Sequence, residues 1–221
     1  MWALVAIRLV LPFSIKSIFS LIPSAKPVPE NIEYAKIPQI NSGISVVNTI
    51  VNPVLENNFA PAEFASVNPL QLVISILSYV WIIGISVLCI YAVSSFVILK
   101  KRVSTAKFIE DGIYECDAIK SPFILGIIRP AIYVPENMPD DAYQCVIEHE
   151  RAHIKRHDNL WKPIGFLILA VYWFNPLCWM AYILLCKDIE YACDEMAIKD
   201  KDANWKANYC QVLLDCSVQR K

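Results

Sequence analysis

The sequence predicts a mainly α membrane protein carrying a small α+β domain on one side of the bilayer. Three observations predict it. Hydrophobic residues make up 56% of the 221-residue chain and charged residues 19%, against roughly 45–50% and 25% in soluble domains. No charge falls between Phe64 and Leu99, and the cluster Lys100-Lys101-Arg102 follows at once. All 3 histidines lie within one short segment of helical periodicity, beyond a short apolar strand at Ile127–Val134. The formal charge of −1 argues against a nucleic-acid binder driven by phosphate contacts. The apolar excess excludes disorder.

In chain order, residues 1–22 read as a partial N-terminal membrane helix. Trp2–Leu11 is apolar, but Arg8, Pro12 and Lys16 interrupt it. About eleven residues reach half a bilayer, so this segment resembles the outer part of a spanning helix whose inner half is absent. Residues 23–69 carry Pro23, Pro27, Pro29, Pro38, Pro53, Pro61 and Pro69 among Asn and Ser. They read as an extracytoplasmic loop with short amphipathic pieces such as Ile44–Leu55. Residues 70–99 are long enough to cross roughly 30 Å of hydrocarbon. The basic cluster after them places 103–221 in the cytoplasm. The eight cysteines (89, 116, 145, 178, 186, 193, 210, 216) form no C-x-x-C pair. Seven lie on the reducing side, so they are expected as reduced packing residues.

His149-Glu150-x-x-His153 is an H-E-x-x-H motif. Residues i and i+4 project from one helix face, so two imidazoles can hold one Zn²⁺, and the intervening Glu150 can act as general base. Pro139-Asp140-Asp141 marks a helix start, and Ala142, Cys145, Val146, His149, Ala152 and His153 trace one face. His157 is four residues further on. Without the spacing and glycine of a three-histidine motif it drifts along the axis, and it is expected to support the site or lie on the surface.

A third ligand is sought in Glu190-x-x-x-Asp194, two carboxylates that can face one point. One can ligate the metal while the other fixes the tautomer of a ligand imidazole. Glu190 must share a side of the membrane with His149, yet Pro163–Cys186 is uncharged. Asn175-Pro176 at its midpoint splits it into arms of about 12 residues, ~18 Å each, too short to cross. Residues 163–186 are therefore expected as a membrane-associated helical hairpin, its Trp and Tyr side chains at the interface. Val103–Pro139 mixes strand and helix signals. In the tail, Tyr209, Val212, Leu213 and Cys216 recur at helical spacing.

Ser121-Pro122-Phe123-Ile124-Leu125-Gly126 through Arg129-Pro130, Tyr133-Val134-Pro135, the H-E-x-x-H helix, Phe174-Asn175-Pro176 and Glu190-x-Ala192-Cys193-Asp194-Glu195 occur in this order. Together they resemble the membrane-embedded zinc metallopeptidases of the BlaR1/MecR1 type, peptidase family M56, closely over 102–200. The resemblance implies a zincin-like (gluzincin) metallopeptidase domain with short edge strands beside the motif helix. It implies one Zn²⁺ on His149, His153 and Glu190, water activation by Glu150, and support of a ligand histidine by Asp194. It also implies that Gly126–Val134, with Gly126, Ile127 and Ile128, is an edge strand along which substrate lies.

The function implied is a zinc endopeptidase of a signalling system in the bacterial cell membrane, multi-pass, as in antibiotic-sensing relatives. It would cleave a cytoplasmic regulatory protein (a repressor) or itself. A non-catalytic relay or scaffold subunit is the alternative, and an M48-type membrane protease fits the hairpin and Cys193-Asp194-Glu195 less well. Expected partners are a protein substrate and membrane lipid, with a homodimer or a separate sensor subunit left open, and no direct nucleic acid. The chain stops at Lys221 inside the peptidase-like region, which suits a fragment or a shortened form. Ser104-x-x-Lys107 matches S-x-x-K by spacing alone. No histidine remains downstream of His157 to stabilise an oxyanion, and Tyr209 and Arg220 are the residues weighed for that task.

Overall fold

The computed structural model describes residues 2–10, 28–29, 31–35, 37–59, 69–110, 112–136 and 138–219. The remainder of the expected N-terminal membrane helix after Val10, most of the flanks of the 23–69 loop, and Arg220 lie outside the described residues, as does the side chain of Cys216. Two units are described separately, 3–84 and 85–221 with Trp2.

In the first unit α1 covers Trp2–Val10 and α2 covers Ser45–Phe59. The amphipathic piece expected at Ile44–Leu55 is thus a longer helix, continuing through Pro53. Its polar face holds the preceding segment: Asn52 accepts from Ile40 N at 2.9 Å, and Asn48 accepts from Ser42 N at 2.9 Å.

Helix α3, Pro69–Arg102, runs 34 residues, about 51 Å at 1.5 Å per residue. Among the described residues it is the one helix long and apolar enough to cross a membrane. No second span accompanies it there, so the multi-pass expectation gains nothing from these residues. Its three terminal cations complement the carbonyl end of the helix dipole.

Beyond α3 the ambiguous region Val103–Pro139 is a four-stranded sheet, larger than the short edge strand expected. Its strands are β1 (Lys107–Glu110), β2 (Ile113–Cys116), β3 (Phe123–Leu125) and β4 (Ala131–Pro135), in spatial order β1-β2-β4-β3. β2 and β4 are parallel, and both outer pairings are antiparallel. Alternation explains the two faces. Ile113, Ile132 and Val134 pack on Ile147 of the next helix. The register Phe108↔Tyr114↔Tyr133↔Phe123 lays an aromatic row across the other face, with ring centroids 5.3–5.6 Å apart.

The edge-strand expectation needs correction. β4 is paired on both sides, and the sheet's edges are β1 and β3. Gly126, Ile127 and Ile128 form the bend between them, with Ile128 92% exposed. Gly126 causes the bend: its φ is +116°, and a Cβ there would collide with the Arg129 carbonyl oxygen. Pro130 then re-enters the sheet without an N–H to pair.

Four helices complete the unit: α4 (Asp140–Lys155), α5 (Asp158–Val171), α6 (Pro176–Ile198) and α7 (Ala203–Gln219). Asn175 caps α6 by accepting from Leu177 N at 3.0 Å, and Pro176 takes the first helical position, where its missing N–H costs nothing. The chain folds back there. Gly165 faces Tyr182 and Leu185, and a Cβ at 165 would lie 2.7 Å from Leu185 Cδ2, so glycine lets α5 and α6 close. The arms are longer than expected. α5 starts at Asp158, and α6 runs 23 residues because no breaker lies between Cys186 and Ile198. The apolar stripe of α7 seats Tyr209 and Val212 on Cys145 and Val146 of α4 and on Ala197 of α6.

Candidate metal centre

The site is built on α4, whose buried face carries Cys145, Val146 and Ala152 as the spacing predicts. Anchoring that face to sheet and α7 orients the next positions of the stripe, His149 and His153, into one cleft. Their Nε2 atoms are 3.2 Å apart. From α6, Glu190 brings Oε2 to 3.7 Å from His149 Nε2 and 3.6 Å from His153 Nε2. Two nitrogens on a tetrahedral zinc, with bonds of roughly 2.0–2.1 Å, lie roughly 3.3 Å apart. The three atoms therefore have the spacing of ligands around one small cation.

The outer ring nitrogens decide what the inner ones present. Asp158, 2% exposed, lies 2.9 Å from His153 Nδ1 through Oδ2. A carboxylate only accepts, so His153 Nδ1 carries the proton. The Tyr209 hydroxyl donates to Asp194 Oδ1 at 2.8 Å. Its one proton is thereby used, and it accepts from His149 Nδ1, also at 2.8 Å. Asp194 Oδ1 stands 3.1 Å from the same nitrogen. Both Nε2 atoms then face each other as lone pairs beside a carboxylate oxygen, an arrangement that a bound cation satisfies and nothing in the neutral protein does.

Burial and charge move the proton affinities. The two neighbouring imidazoles hold the Glu190 carboxyl far below the usual carboxylate range, against the opposing effect of burial, and Lys162 adds to the depression. Lys162 Nζ binds the other carboxylate oxygen, Oε1, at 2.8 Å. Glu150 is 8% exposed, and burial raises its pKa despite the pull of the two histidines. For His153 burial acts downward, but the carboxylates of Glu190 and Asp158 outweigh it and the net shift is upward.

A second cluster, His153, Asp158 and Cys193, also gathers ligand-type atoms. Cys193 Sγ is 3.0 Å from both His153 Nδ1 and Asp158 Oδ2. Sulfur and nitrogen on one zinc would stand roughly 3.6 Å apart, so these are hydrogen-bond distances. The thiol donates to Asp158, and burial, then Asp158, pushes its pKa upward. Cys193 is thus more than the packing residue expected, although all seven described cysteines are free thiols.

His157 is exposed and stands outside the cluster, in a left-handed turn (φ 59°) where α4 has already ended. Tyr209, weighed for an oxyanion role, is instead held behind His149 with its ring stacked on Trp205. Sequence reasoning assigned no role to Asp158, Cys193 or Lys162. Asp158 heads an apolar helix, where an acidic residue ordinarily complements the helix dipole, so its position hid its contact.

The cleft has a volume of about 950 Å³. Its walls include Phe96 of α3, Phe123–Leu125 of β3, Phe166 of α5 and Tyr182 of α6, with Glu150, His149 and His153 among its lining residues. Asn159 ties the β3–β4 bend to α5, donating to Ile127 O at 2.7 Å and Gly126 O at 3.3 Å.

The family described as BlaR1 peptidase M56 matches residues 1–221, and the chain belongs to that family. It is similar to the regulatory protein BlaR1 of Bacillus licheniformis, 37% identical over 99 residues that cover 43% of this chain and 16% of that protein. It is also similar to the methicillin resistance mecR1 protein of Staphylococcus aureus, 22% identical over 98% of this chain and 40% of that protein. The Staphylococcus epidermidis protein of the same name gives the same figures. The chain therefore spans well under half the length of these relatives. Membership of a metallopeptidase family implies a metal, and the cluster of His149, His153 and Glu190 is a place of the right chemistry for one.

Proposed function

We propose that this M56-family chain is the zinc endopeptidase core of a membrane signalling protein. The observation that carries the reading is the convergence of His149 Nε2, His153 Nε2 and Glu190 Oε2 within 3.2–3.7 Å. Two imidazoles and one carboxylate suit Zn²⁺ better than Mg²⁺ or Ca²⁺, which prefer oxygen donors. Asp158 behind His153, and Tyr209 with Asp194 behind His149, hold the rings and fix their tautomers. When bound, zinc would polarise the scissile carbonyl and lower the pKa of a coordinated water toward ~7.

Glu150 accepts a proton from water as the water oxygen bonds to the carbonyl carbon and the C=O electron pair moves onto oxygen. When the C–N bond breaks, the leaving nitrogen takes that proton from Glu150. Burial, which raises the proton affinity of Glu150, favours the first transfer. Substrate would lie in the apolar cleft along the free edge of β3, its backbone pairing with the strand.

α3 would span the membrane with its basic end in the cytoplasm. The exposed Trp161, Phe174, Leu177 and Met180 would set the α5–α6 hairpin into the inner leaflet. The cut protein would be a cytoplasmic regulatory protein, such as a repressor, or the chain itself. Support comes from the family and from a peptide-sized cleft beside the cluster. The test is zinc per purified chain, with Glu190→Ala and Glu150→Gln beside the wild type. One zinc, lost in Glu190→Ala and kept in a Glu150→Gln protein that no longer cleaves, is expected. Zinc retained in Glu190→Ala, or cleavage retained in Glu150→Gln, overturns the reading.

A further inference from the structure

We infer that Lys162 is a catalytic residue, the cation that takes up the negative charge developing on the scissile carbonyl oxygen. The inference rests on the peptidase reading above. Acyl transfer of this kind places an oxyanion in the cleft, and a fixed donor aimed at it is commonly the largest single contribution to rate. His157, beyond the motif, is exposed and stands outside the cluster, and Tyr209 is engaged behind His149 with its proton on Asp194.

Among the described residues that line the cleft, Lys162 is the only lysine or arginine. Its Nζ lies 2.8 Å from Glu190 Oε1, while Oε2 of the same carboxylate faces both imidazoles. The ammonium thus stands one carboxylate's width from the point where the three ligand atoms converge. An ammonium has three donors, and the contact with Glu190 uses one. The four-carbon stem lets the other two swing toward a carbonyl oxygen without breaking that contact.

A purely structural role explains the residue poorly. The pair is 36% and 48% exposed, and ion pairs so open to solvent contribute little to stability. Glu190 is also directed by the α6 backbone, whose burial at Ile189 and Cys193 does not depend on Lys162.

The test compares wild type, Lys162→Met, Lys162→Arg and Glu150→Gln, each as the 221-residue chain in detergent and loaded with zinc. Three quantities are read: zinc affinity, steady-state cleavage of fluorescein-labelled casein, and binding of a phosphinic tripeptide that mimics the tetrahedral oxyanion. A simple thiol ligand lacking that group serves as reference. Lys162→Met should keep one zinc with affinity within about threefold and KM within about twofold, while kcat falls about 10²–10³-fold. Affinity for the phosphinic tripeptide should fall by a similar factor and affinity for the thiol should not, and Lys162→Arg should recover most of both losses.

Equal phosphinic affinity in wild type and Lys162→Met overturns the assignment. So does a loss that follows zinc and is cured by added zinc, which would make Lys162 a prop for Glu190 alone. Casein cleavage equal in wild type and Glu150→Gln would instead sink the peptidase reading, and the two ligand affinities would still decide the place of Lys162.

Discussion

His149 and His153 sit one turn apart on the same helix and turn the same ring atom to the same cleft, yet they are held in opposite ways. His153 is held from nearby in sequence. Asp158, five residues on, is buried and accepts from Nδ1, and it receives the Cys193 thiol and, at 3.4 Å, Arg156 Nε. His149 is held from far away, by Tyr209 sixty residues later and by Asp194, a carboxylate 38% exposed. The first support centres on His153, Asp158 and Cys193, all buried, where the exclusion of water strengthens the bonds between them. The second is a shared one, in which either partner can stand in for the other. The difference teaches where the site can tolerate loss.

The sharpest way to test that asymmetry is Asp158→Ala. It strips the proton acceptor from His153 and leaves a buried thiol and Arg156 without their partner. Stability should fall by on the order of 3 kcal/mol, and zinc affinity by about 100-fold. Denaturant unfolding and chelator competition would show it, and a loss below about 1 kcal/mol would break the contrast.

Asp194→Ala should do less. Tyr209 keeps its bond to His149, and the lost carboxylate is half open to water. Zinc affinity should weaken about tenfold with a stability change under about 1 kcal/mol. A larger effect than that of Asp158→Ala in the same assays would invert the comparison.

Smallest of all in zinc affinity should be Tyr209→Phe. The ring keeps its stacking on Trp205 and its place among Cys145, Val146 and Ala197. Asp194, 3.1 Å from His149 Nδ1, then becomes the sole acceptor. About 1 kcal/mol of stability and a few-fold in zinc affinity are expected. Tyr209→Ala, by contrast, would open a core cavity between α4 and α7 and cost about 3–5 kcal/mol, as large aromatic truncations do. Thermal unfolding of the two side by side separates the hydroxyl from the ring.

The two regions also differ in how far they could be read from residues alone. The i, i+4 spacing of His149 and His153, the helix that carries them and the apolar run of α3 are consequences of local periodicity, which a string of letters displays directly. The reversal at Asn175-Pro176 is local as well, because a cap and a proline act on their own few bonds. The sheet was not legible. Strands of three to five residues carry too few alternations to declare a period, and the β2–β4 pairing joins segments separated by β3. Hence Gly126–Val134 read as one strand, when the collision a Cβ would meet at Gly126 splits it into a bend and an interior strand.

Residue types and spacings within one helix thus carried the long apolar helix, the paired imidazoles and the adjacent Glu150, because a helix imposes its geometry on residues four apart whatever surrounds it. The partners of those imidazoles depended on packing: which carboxylate meets which ring, why the Cys193 thiol sits on Asp158, and why Lys162 reaches Glu190. Those contacts join helices whose relative placement is set by the burial of Cys145, Val146, Ile189 and Tyr209, a balance summed over the whole core and written in no single stretch of chain.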